Sequence, residues 1–154
     1  MEPRIDYRKH APEATRAMME IEKYIAGCGL DHQLLHLLKM RASQINGCAF
    51  CIDMHSKDAR AGGETEQRLY ELDAWRETPF YSERERAALQ WIEAITKVGE
   101  THVPDAAFEE VKKQFTEKEI VDLTIVAGMI NLWNRVAISL RAVPGHYRAA
   151  AAKG

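Results

Sequence analysis

Apolar residues recur at spacings of three and four along most of the chain, and alternating runs of β-branched residues bounded by turn residues are missing from it. The first spacing gives a helix one apolar face, whereas alternation is the usual mark of a half-buried strand. The sequence therefore predicts an all-α fold with about seven helices.

Capping and turn residues divide this pattern into separate helices. Asp31 and Thr65 are suitable N-caps, and Ser82 with Glu85 forms a capping box, as does Thr116 with Glu119. Glycine pairs or Asn-Gly follow several of the apolar stretches and indicate helix ends. The seven predicted helices begin at or just after Pro12, Asp31, Cys48, Thr65, Ser82, Pro104 and Thr116. Gly99 is expected to end the fifth helix, and Ile21 and Tyr24 of the first are expected to face the core.

The last predicted helix, residues 120–140, is apolar around most of its circumference. This composition is typical of a helix in the core or one that faces another subunit. Its polar residues should have hydrogen-bond partners at a subunit interface or a pocket wall; they are Asn131, Trp133, Asn134 and Arg135. The small, basic tail that follows, residues 146–154, is expected to fray.

Length and charge restrict the function classes. The 154 residues suit one domain, residues 1–154 with a core of about 15–145, that is large enough to bury a hydrophobic core. With 21 Lys and Arg against 23 Asp and Glu, the net charge of −2 gives no general attraction to nucleic acid or anionic membranes. No apolar run approaches the length of a signal peptide core or a membrane span, so a cytoplasmic protein is expected.

Two thiols and an imidazole, those of Cys48, Cys51 and His55, follow one another at spacings of three and four residues. Asn46-Gly47 should end the preceding helix, so Cys48 begins a new one and Cys51 lies in its first turn. Unpaired N–H groups and the positive dipole end lower the pKa of a thiol there. Because His55 lies one turn beyond Cys51 and can exchange its proton, we predict that Cys51 is the reactive thiolate and Cys48 its disulfide partner. The third cysteine, Cys28, is predicted to be a small buried apolar residue.

Two other uses of these cysteines are conceivable from the residue types alone. Cys48, Cys51, His55 and His36 would supply four acceptable zinc ligands, although structural zinc usually takes a CxxC pair from a tight turn and not from a helix. Attachment of a c-type haem requires a histidine directly after the second cysteine, where this chain has Ile52. The haem site is therefore excluded, and zinc stays an alternative to redox chemistry.

Residues 44–55, QINGCAFCIDMH, resemble the core motif of the AhpD-like alkylhydroperoxidases, which belong to the carboxymuconolactone decarboxylase superfamily. Three further stretches, residues 75–80, 82–89 and 131–135, resemble the peroxidase-related branch of that family. The resemblance implies an all-helical subunit with the CxxC helix packed among other helices. It also implies a homo-oligomer, commonly a trimer or a hexamer.

The resemblance also implies the chemistry. Cys51 corresponds to the peroxidatic cysteine, Cys48 to the resolving cysteine and His55 to the proton-relay histidine. A hydroperoxide would be the substrate, and a lipoyl-protein or thioredoxin-like dithiol would be the reductant. No metal, haem or flavin would be needed.

The sequence departs from the family at two positions. The family has a relay glutamate twelve residues before the first cysteine, and this chain has His36 there. A second imidazole is expected to be partly cationic near its unperturbed pKa of ~6.5, and His36 is a candidate to orient His55 or tune its charge. Phe50 stands where the founding enzyme has a histidine, which makes the pocket more apolar.

These observations predict a thiol-dependent peroxidase. One alternative is a non-catalytic redox or stress sensor, an oligomer in which Cys48 and Cys51 change state slowly. Another is a lactone decarboxylase of the same superfamily, although those members generally lack the CxxC pair.

Overall fold

The computed structural model of the protein describes residues 2–149. In this range it has nine α-helices and one short 3-10 helix, Leu72–Ala74, and no strand, which confirms the all-α prediction. The two helices that the sequence did not predict are the single turns α1 and α7. The α-helices are α1 (Tyr7–His10), α2 (Pro12–Gly27), α3 (His32–Asn46), α4 (Ala49–Ala61), α5 (Glu66–Tyr70), α6 (Glu83–Thr96), α7 (Val98–Thr101), α8 (Asp105–Lys112) and α9 (Glu117–Leu140).

The predicted N-caps are confirmed. The side chains of Asp31, Thr65, Ser82 and Thr116 each accept a hydrogen bond from a backbone N–H of the first turn that follows. Both capping boxes are complete, because the glutamate of each one also accepts from the backbone N–H of its cap. These bonds satisfy N–H groups that a helix cannot pair internally.

Some predicted boundaries and burials were wrong. Helix α6 ends at Thr96, before Gly99, which lies within α7. Ile21 and Tyr24 of α2 are exposed and do not face the core. The Tyr24 hydroxyl instead donates to Asp122 of α9, at 2.7 Å. Cys28 is half-buried and carries a free thiol.

Helix α3 lies at the centre of the fold, where it packs against α4, α6 and α9, and α6 packs in turn against α8 and α9. Leucine and isoleucine side chains of α3, α6 and α9 fill the interior, as expected for helices that bury one face. Fully buried examples are Leu37 and Leu38 of α3, Leu89 and Ile92 of α6, and Leu123 and Ile130 of α9. The cysteine helix α4 is therefore held between α3 and α9.

Helix α9 is longer and more apolar than the sequence analysis allowed. It has 24 residues and a mean hydropathy of 1.4 over its most apolar window, so by length and composition it could cross a membrane. In this fold it packs against α2, α3, α4, α6 and α8. Its buried polar residues Asp122, Asn131 and Asn134 are hydrogen-bonded to other helices. These contacts are those of a core helix.

The tail does not fray over residues 145–148. The Tyr147 hydroxyl donates to Asp58 at 2.6 Å, and the backbone N–H of Gly145 donates to Asp53 at 3.0 Å. Lys57 also donates to the carbonyl of Tyr147. This part of the tail is therefore attached to α4, and residues 150–154 lie outside the described range.

A half-buried carboxylate, that of Glu93, joins α6 to α3 and to the turn after the 3-10 helix. It accepts hydrogen bonds from Arg41 Nε at 2.6 Å and Trp75 Nε1 at 2.9 Å, and Arg76 lies 2.7 Å away. Burial alone would raise the pKa of Glu93, but the hydrogen bonds from Trp75, Arg41 and Arg76 outweigh it and hold the pKa below its ordinary value.

We expect Glu93→Gln to lower the free energy of unfolding by roughly 1–3 kcal/mol near pH 7, because it removes a charge that three donors share. The folded pKa lies below the unfolded value of about 4.3, so this stabilisation is present above that value and is lost as the pH falls through the folded pKa. Urea unfolding at several pH values should therefore show that the difference in the free energy of unfolding between wild type and variant decreases as the pH falls. Glu109→Gln, which changes an exposed pair with Lys112, is the control with a small effect. A difference in the free energy of unfolding that does not change with pH would contradict a stabilising role of the ionised Glu93 carboxylate.

Candidate active site

The turn between α3 and α4 places the first cysteine. Gly47 ends α3 in the left-handed conformation, with a φ of 67°, and Cys48 is the N-cap of α4. The Cys48 sulfur accepts a long hydrogen bond, 3.4 Å, from the backbone N–H of Cys51. Cys51 therefore lies in the first turn of α4, where the sequence predicted it.

The two cysteines form a disulfide, with Cα atoms 5.4 Å apart. Both are buried, with exposed fractions of 1% for Cys48 and 2% for Cys51, and they pack with Phe50, Ala137 and Ala142. Because the disulfide uses both sulfur atoms, the zinc site built on Cys48 and Cys51 is not formed in this state.

A cavity of about 330 Å³ lies beside Cys51. Residues of α1, α2, α3, α4, α9 and the C-terminal tail line it. Of the two cysteines, Cys51 lines this cavity and Cys48 does not. Apolar side chains supply much of the wall, namely Met19, Phe50, Met54 and Trp133. A small apolar molecule could therefore reach the sulfur of Cys51 from this side and not that of Cys48.

An ion pair forms the polar part of the cavity wall. Lys39 of α3 and Glu22 of α2 approach to 2.6 Å, and the indole N–H of Trp133 donates to the same carboxylate at 3.0 Å. Glu22 thus has partners on two sides, and the charge of Lys39 is balanced within the cavity.

His55 lies on α4 one turn beyond Cys51 and also lines the cavity. Its side chain is 6% exposed, and neither ring nitrogen has a hydrogen-bond partner within residues 2–149. Burial, together with the positive charge of Lys39, lowers the pKa of His55 to about 3. The imidazole is therefore neutral at neutral pH, and the burial that lowers its pKa also makes it a weaker base than a free imidazole.

His36 of α3 lies close to His55, and Asp58 of α4 completes the cluster. One side-chain nitrogen or oxygen of each residue lies within 4.8 Å of the others. Burial lowers the pKa of His36, although the nearby Asp58 opposes this effect. The lowered pKa makes His36 less cationic near neutral pH than an unperturbed imidazole.

Four further residues of the site were not predicted from the sequence: Asp58, Glu22, Lys39 and Tyr147. Asp58 could have been found, because a residue three positions after His55 on a helix shares its face. Glu22 and Tyr147 come from α2 and from the C-terminal tail, and no spacing rule connects such distant segments to α4.

Buried amides fix the start of α4 against α9. The Asn46 side chain donates to the amide oxygens of Asn131 at 3.0 Å and Asn134 at 2.8 Å. Asn134 donates to the Ser43 hydroxyl at 3.0 Å, and Asn131 to the Thr96 hydroxyl at 3.1 Å. The prediction of hydrogen-bonded polar groups within the last helix is confirmed, and Trp133 of that helix lies in a pocket wall.

The sequence profile of the carboxymuconolactone decarboxylase family matches residues 12–94. This range is more than half of the chain and includes both cysteines, His36 and His55. The protein therefore belongs to the carboxymuconolactone decarboxylase family, and the resemblance found in the sequence is confirmed.

Two similar proteins cover nearly the whole chain. YdfG of Bacillus subtilis (strain 168) is 46% identical over 140 residues, which are 91% of this chain and 95% of YdfG. The crystal structure of ATU0492 from Agrobacterium tumefaciens, a protein of unknown function named in relation to the antioxidant defence protein AhpD, has a TM-score of 0.91. It is 47% identical and covers 95% of this chain and 100% of its own. These agreements establish an AhpD-like fold.

The fold is shared with an enzyme of another activity. The crystal structure of the debrominase Bmp8 has a TM-score of 0.77 at 19% identity and covers 90% of this chain and 74% of its own. At this identity the likeness concerns the fold alone. The same fold therefore occurs in a debrominase.

We expect Gly47→Ala to destabilise the protein by about 1 kcal/mol, because an L-residue is strained at the positive φ of this turn. No atom outside the turn lies within 4 Å of the added Cβ, so the cost comes from the backbone and not from a clash. Gly27→Ala is the matched control, since Gly27 is helical and its Cβ also meets nothing. Thermal unfolding should show a loss for the first variant and none for the second. Equal losses would contradict the role of the left-handed turn.

Proposed function

We propose that the protein is a thiol-dependent peroxidase that reduces hydroperoxides through Cys51 and Cys48. The observation that supports this proposal best is that Cys51, and not Cys48, lines a cavity together with a buried, neutral His55. A nucleophile, a proton acceptor one turn away and space for a substrate are then found together.

In the first step, His55 accepts the proton of the Cys51 thiol in the reduced protein. The Cys51 thiolate attacks the terminal oxygen of the hydroperoxide, and the O–O bond breaks. The departing oxygen takes the proton from His55 and leaves as an alcohol, or as water when the substrate is hydrogen peroxide. Cys51 is left as a sulfenic acid.

In the second step, the Cys48 sulfur attacks the sulfur of the Cys51 sulfenic acid, and water leaves. The product is the Cys48–Cys51 disulfide, which is the state described above. An external dithiol must then reduce it by thiol–disulfide exchange, becoming a disulfide itself. A lipoyl-protein or a thioredoxin-like protein is the proposed donor.

His36 is proposed as a positioning residue for His55, at the place where the family has a glutamate. The two rings do not hydrogen-bond in the disulfide state, and a rotation of the half-buried His36 toward His55 would let it fix which nitrogen of His55 carries hydrogen. Asp58 lies within the same 4.8 Å cluster and supplies a carboxylate from α4. The cluster thus offers both kinds of group that a proton relay uses.

The cavity fits an organic hydroperoxide with a small apolar body. Met19, Phe50, Met54 and Trp133 form its apolar wall, whereas hydrogen peroxide has no apolar part for such a wall to contact. Cumene hydroperoxide is therefore the preferred test substrate, with hydrogen peroxide as the comparison.

A homo-oligomer, trimeric or hexameric, is part of the proposal. Helix α9 leaves Val121, Leu132 and Ile138 exposed by 57%, 42% and 47%, and α2 leaves Met19 and Ile21 exposed. Apolar side chains at these positions can pack against a second copy of the chain. Light scattering of the purified protein would give the number of subunits.

The reducing cytoplasm, where thiols persist, is the proposed compartment.

We expect Cys51→Ser to abolish peroxide consumption, because the hydroxyl is a far weaker nucleophile at neutral pH than a thiolate. Cys48→Ser should still consume one equivalent of peroxide, since Cys51 is intact. It should then stop at the sulfenic acid, because no partner thiol is in reach. Stopped-flow peroxide consumption by the reduced proteins, followed by mass spectrometry, measures both outcomes.

Cys28→Ser is the matched control and should behave as the wild type, because Cys28 lies at the end of α2 and outside the cavity. Full activity in Cys51→Ser would disprove the assigned nucleophile. Oxidation of wild-type thiols without turnover under any dithiol donor would favour the sensor. Thiols that do not react with either peroxide would favour another reaction of this fold, such as lactone decarboxylation or dehalogenation.

A further inference from the structure

Two imidazoles and a carboxylate meet where α3 faces α4, beside the disulfide. His55 and Asp58 are three residues apart on α4 and share a face, and His36 approaches them from α3. One donor atom from each of the three side chains lies within 4.8 Å of the other two. No other group of three such ligands was found within the described part of the chain.

We propose that His36, His55 and Asp58 bind a divalent transition-metal ion of the Zn²⁺ type, and that the bound ion inhibits the thiol chemistry. The site itself does not depend on any activity. The inhibition rests on the proposed function, because it requires His55 to act as a proton acceptor. This ligand set differs from the one that the sequence suggested, since it uses neither cysteine.

The donor set suits such an ion. Zn²⁺ binds imidazole nitrogen and carboxylate oxygen at about 2.0–2.2 Å, so that neighbouring donors in a tetrahedral site lie about 3.3 Å apart. The three donors must therefore approach one another by at most about 1.5 Å. His36 and Asp58 are only half-buried and can rotate, whereas His55 is held inside the fold. The cavity that reaches His55 and Asp58 leaves room for a water molecule as the fourth ligand.

The state of His55 is the second, independent observation. A buried imidazole normally has a partner at one ring nitrogen or both, and here neither nitrogen has one within residues 2–149. The lowered pKa values of His55 and His36 mean that both rings are neutral at neutral pH. Each can then offer a nitrogen lone pair to a metal without first losing a proton.

The surrounding charges permit a cation. Asp58 carries the negative charge of the site, and the hydroxyl of Tyr147 donates to one of its oxygens at 2.6 Å, which orients the carboxylate and leaves its other oxygen available. The positive charge of Lys39 lowers the pKa of His55, and Glu22 lies 2.6 Å from Lys39 and balances that charge. His32 of α3 also affects the pKa of His36.

A bound ion would compete with proton transfer. It would occupy a lone pair of His55 and hold the imidazole away from the Cys51 thiol, so the thiolate would form less readily. No electron transfer is involved, and removal of the ion by a chelator would restore the free imidazole.

The test is a titration of the disulfide form with ZnCl₂ by calorimetry, in protein without a histidine tag. In this form Cys48 and Cys51 have no thiol, so they cannot account for binding, and the titration is made in the Cys28→Ser background to exclude the free thiol of Cys28. We expect one ion per chain and a roughly 10- to 100-fold weaker affinity, or no binding, in Asp58→Asn and in His36→Gln. The visible spectrum of the Co²⁺ complex should show nitrogen and oxygen ligands in wild type and should change in both variants. His10→Ala, at an exposed histidine of α1, is the matched control with unchanged affinity.

Absence of Zn²⁺ binding, or binding that both Asp58→Asn and His36→Gln retain, would overturn the site. Far-ultraviolet circular dichroism of each variant confirms that a loss of binding is not a loss of fold. The titration uses no peroxide and does not need the reduced thiols of Cys48 and Cys51. Its outcome is therefore separate from that of the peroxidase assay. Zn²⁺ binding without peroxidase activity would support the metal site and disprove the proposed function. Peroxidase activity without Zn²⁺ binding would support the proposed function and disprove the metal site.

Discussion

The direction in which α4 leaves α3 is the constraint on which the candidate site depends. Gly47 turns the chain in the left-handed conformation, and the Asn46 side chain ties the turn to Asn131 and Asn134 of α9. Amides buried in this way stabilise one arrangement strongly, because every alternative leaves donors and acceptors unpaired. The start of α4, and hence Cys48 and Cys51, is thereby fixed against both neighbouring helices.

Burial then decides the chemistry of His55. The same packing that brings it next to the disulfide removes it from water, and its charged form becomes unfavourable. A neutral imidazole can take a proton from a thiol or a place around a metal ion, and the two uses exclude each other. Neither ring nitrogen of His55 has a hydrogen-bond partner within residues 2–149, which lowers the stability of the fold. A proton transfer or a bound ligand can supply the missing interaction.

The sequence could predict those parts of the fold and site that depend on nearby residues. Capping boxes, the glycine turn at Gly47 and the position of Cys51 in a first helical turn follow from local hydrogen bonds and helix geometry. The exposure of Ile21 could not be predicted, because an apolar residue on a helix can face the core or a surface. Contacts between distant segments, such as Glu22 with Lys39 and Tyr147 with Asp58, depend on tertiary packing that no local pattern contains.

The cavity also indicates why family membership leaves the substrate open. The part of the chain that matches the family profile, residues 12–94, contains the cysteines, both histidines and Asp58. Several other cavity residues lie outside it: Tyr7 of α1, Trp133 of α9 and Tyr147 of the tail. The cysteines, the histidines and most of the cavity wall thus belong to the family range, and the flanking segments complete the wall. Proteins that match the family range can therefore differ in these flanking wall residues, and with them in the molecule that fits the cavity beside Cys51.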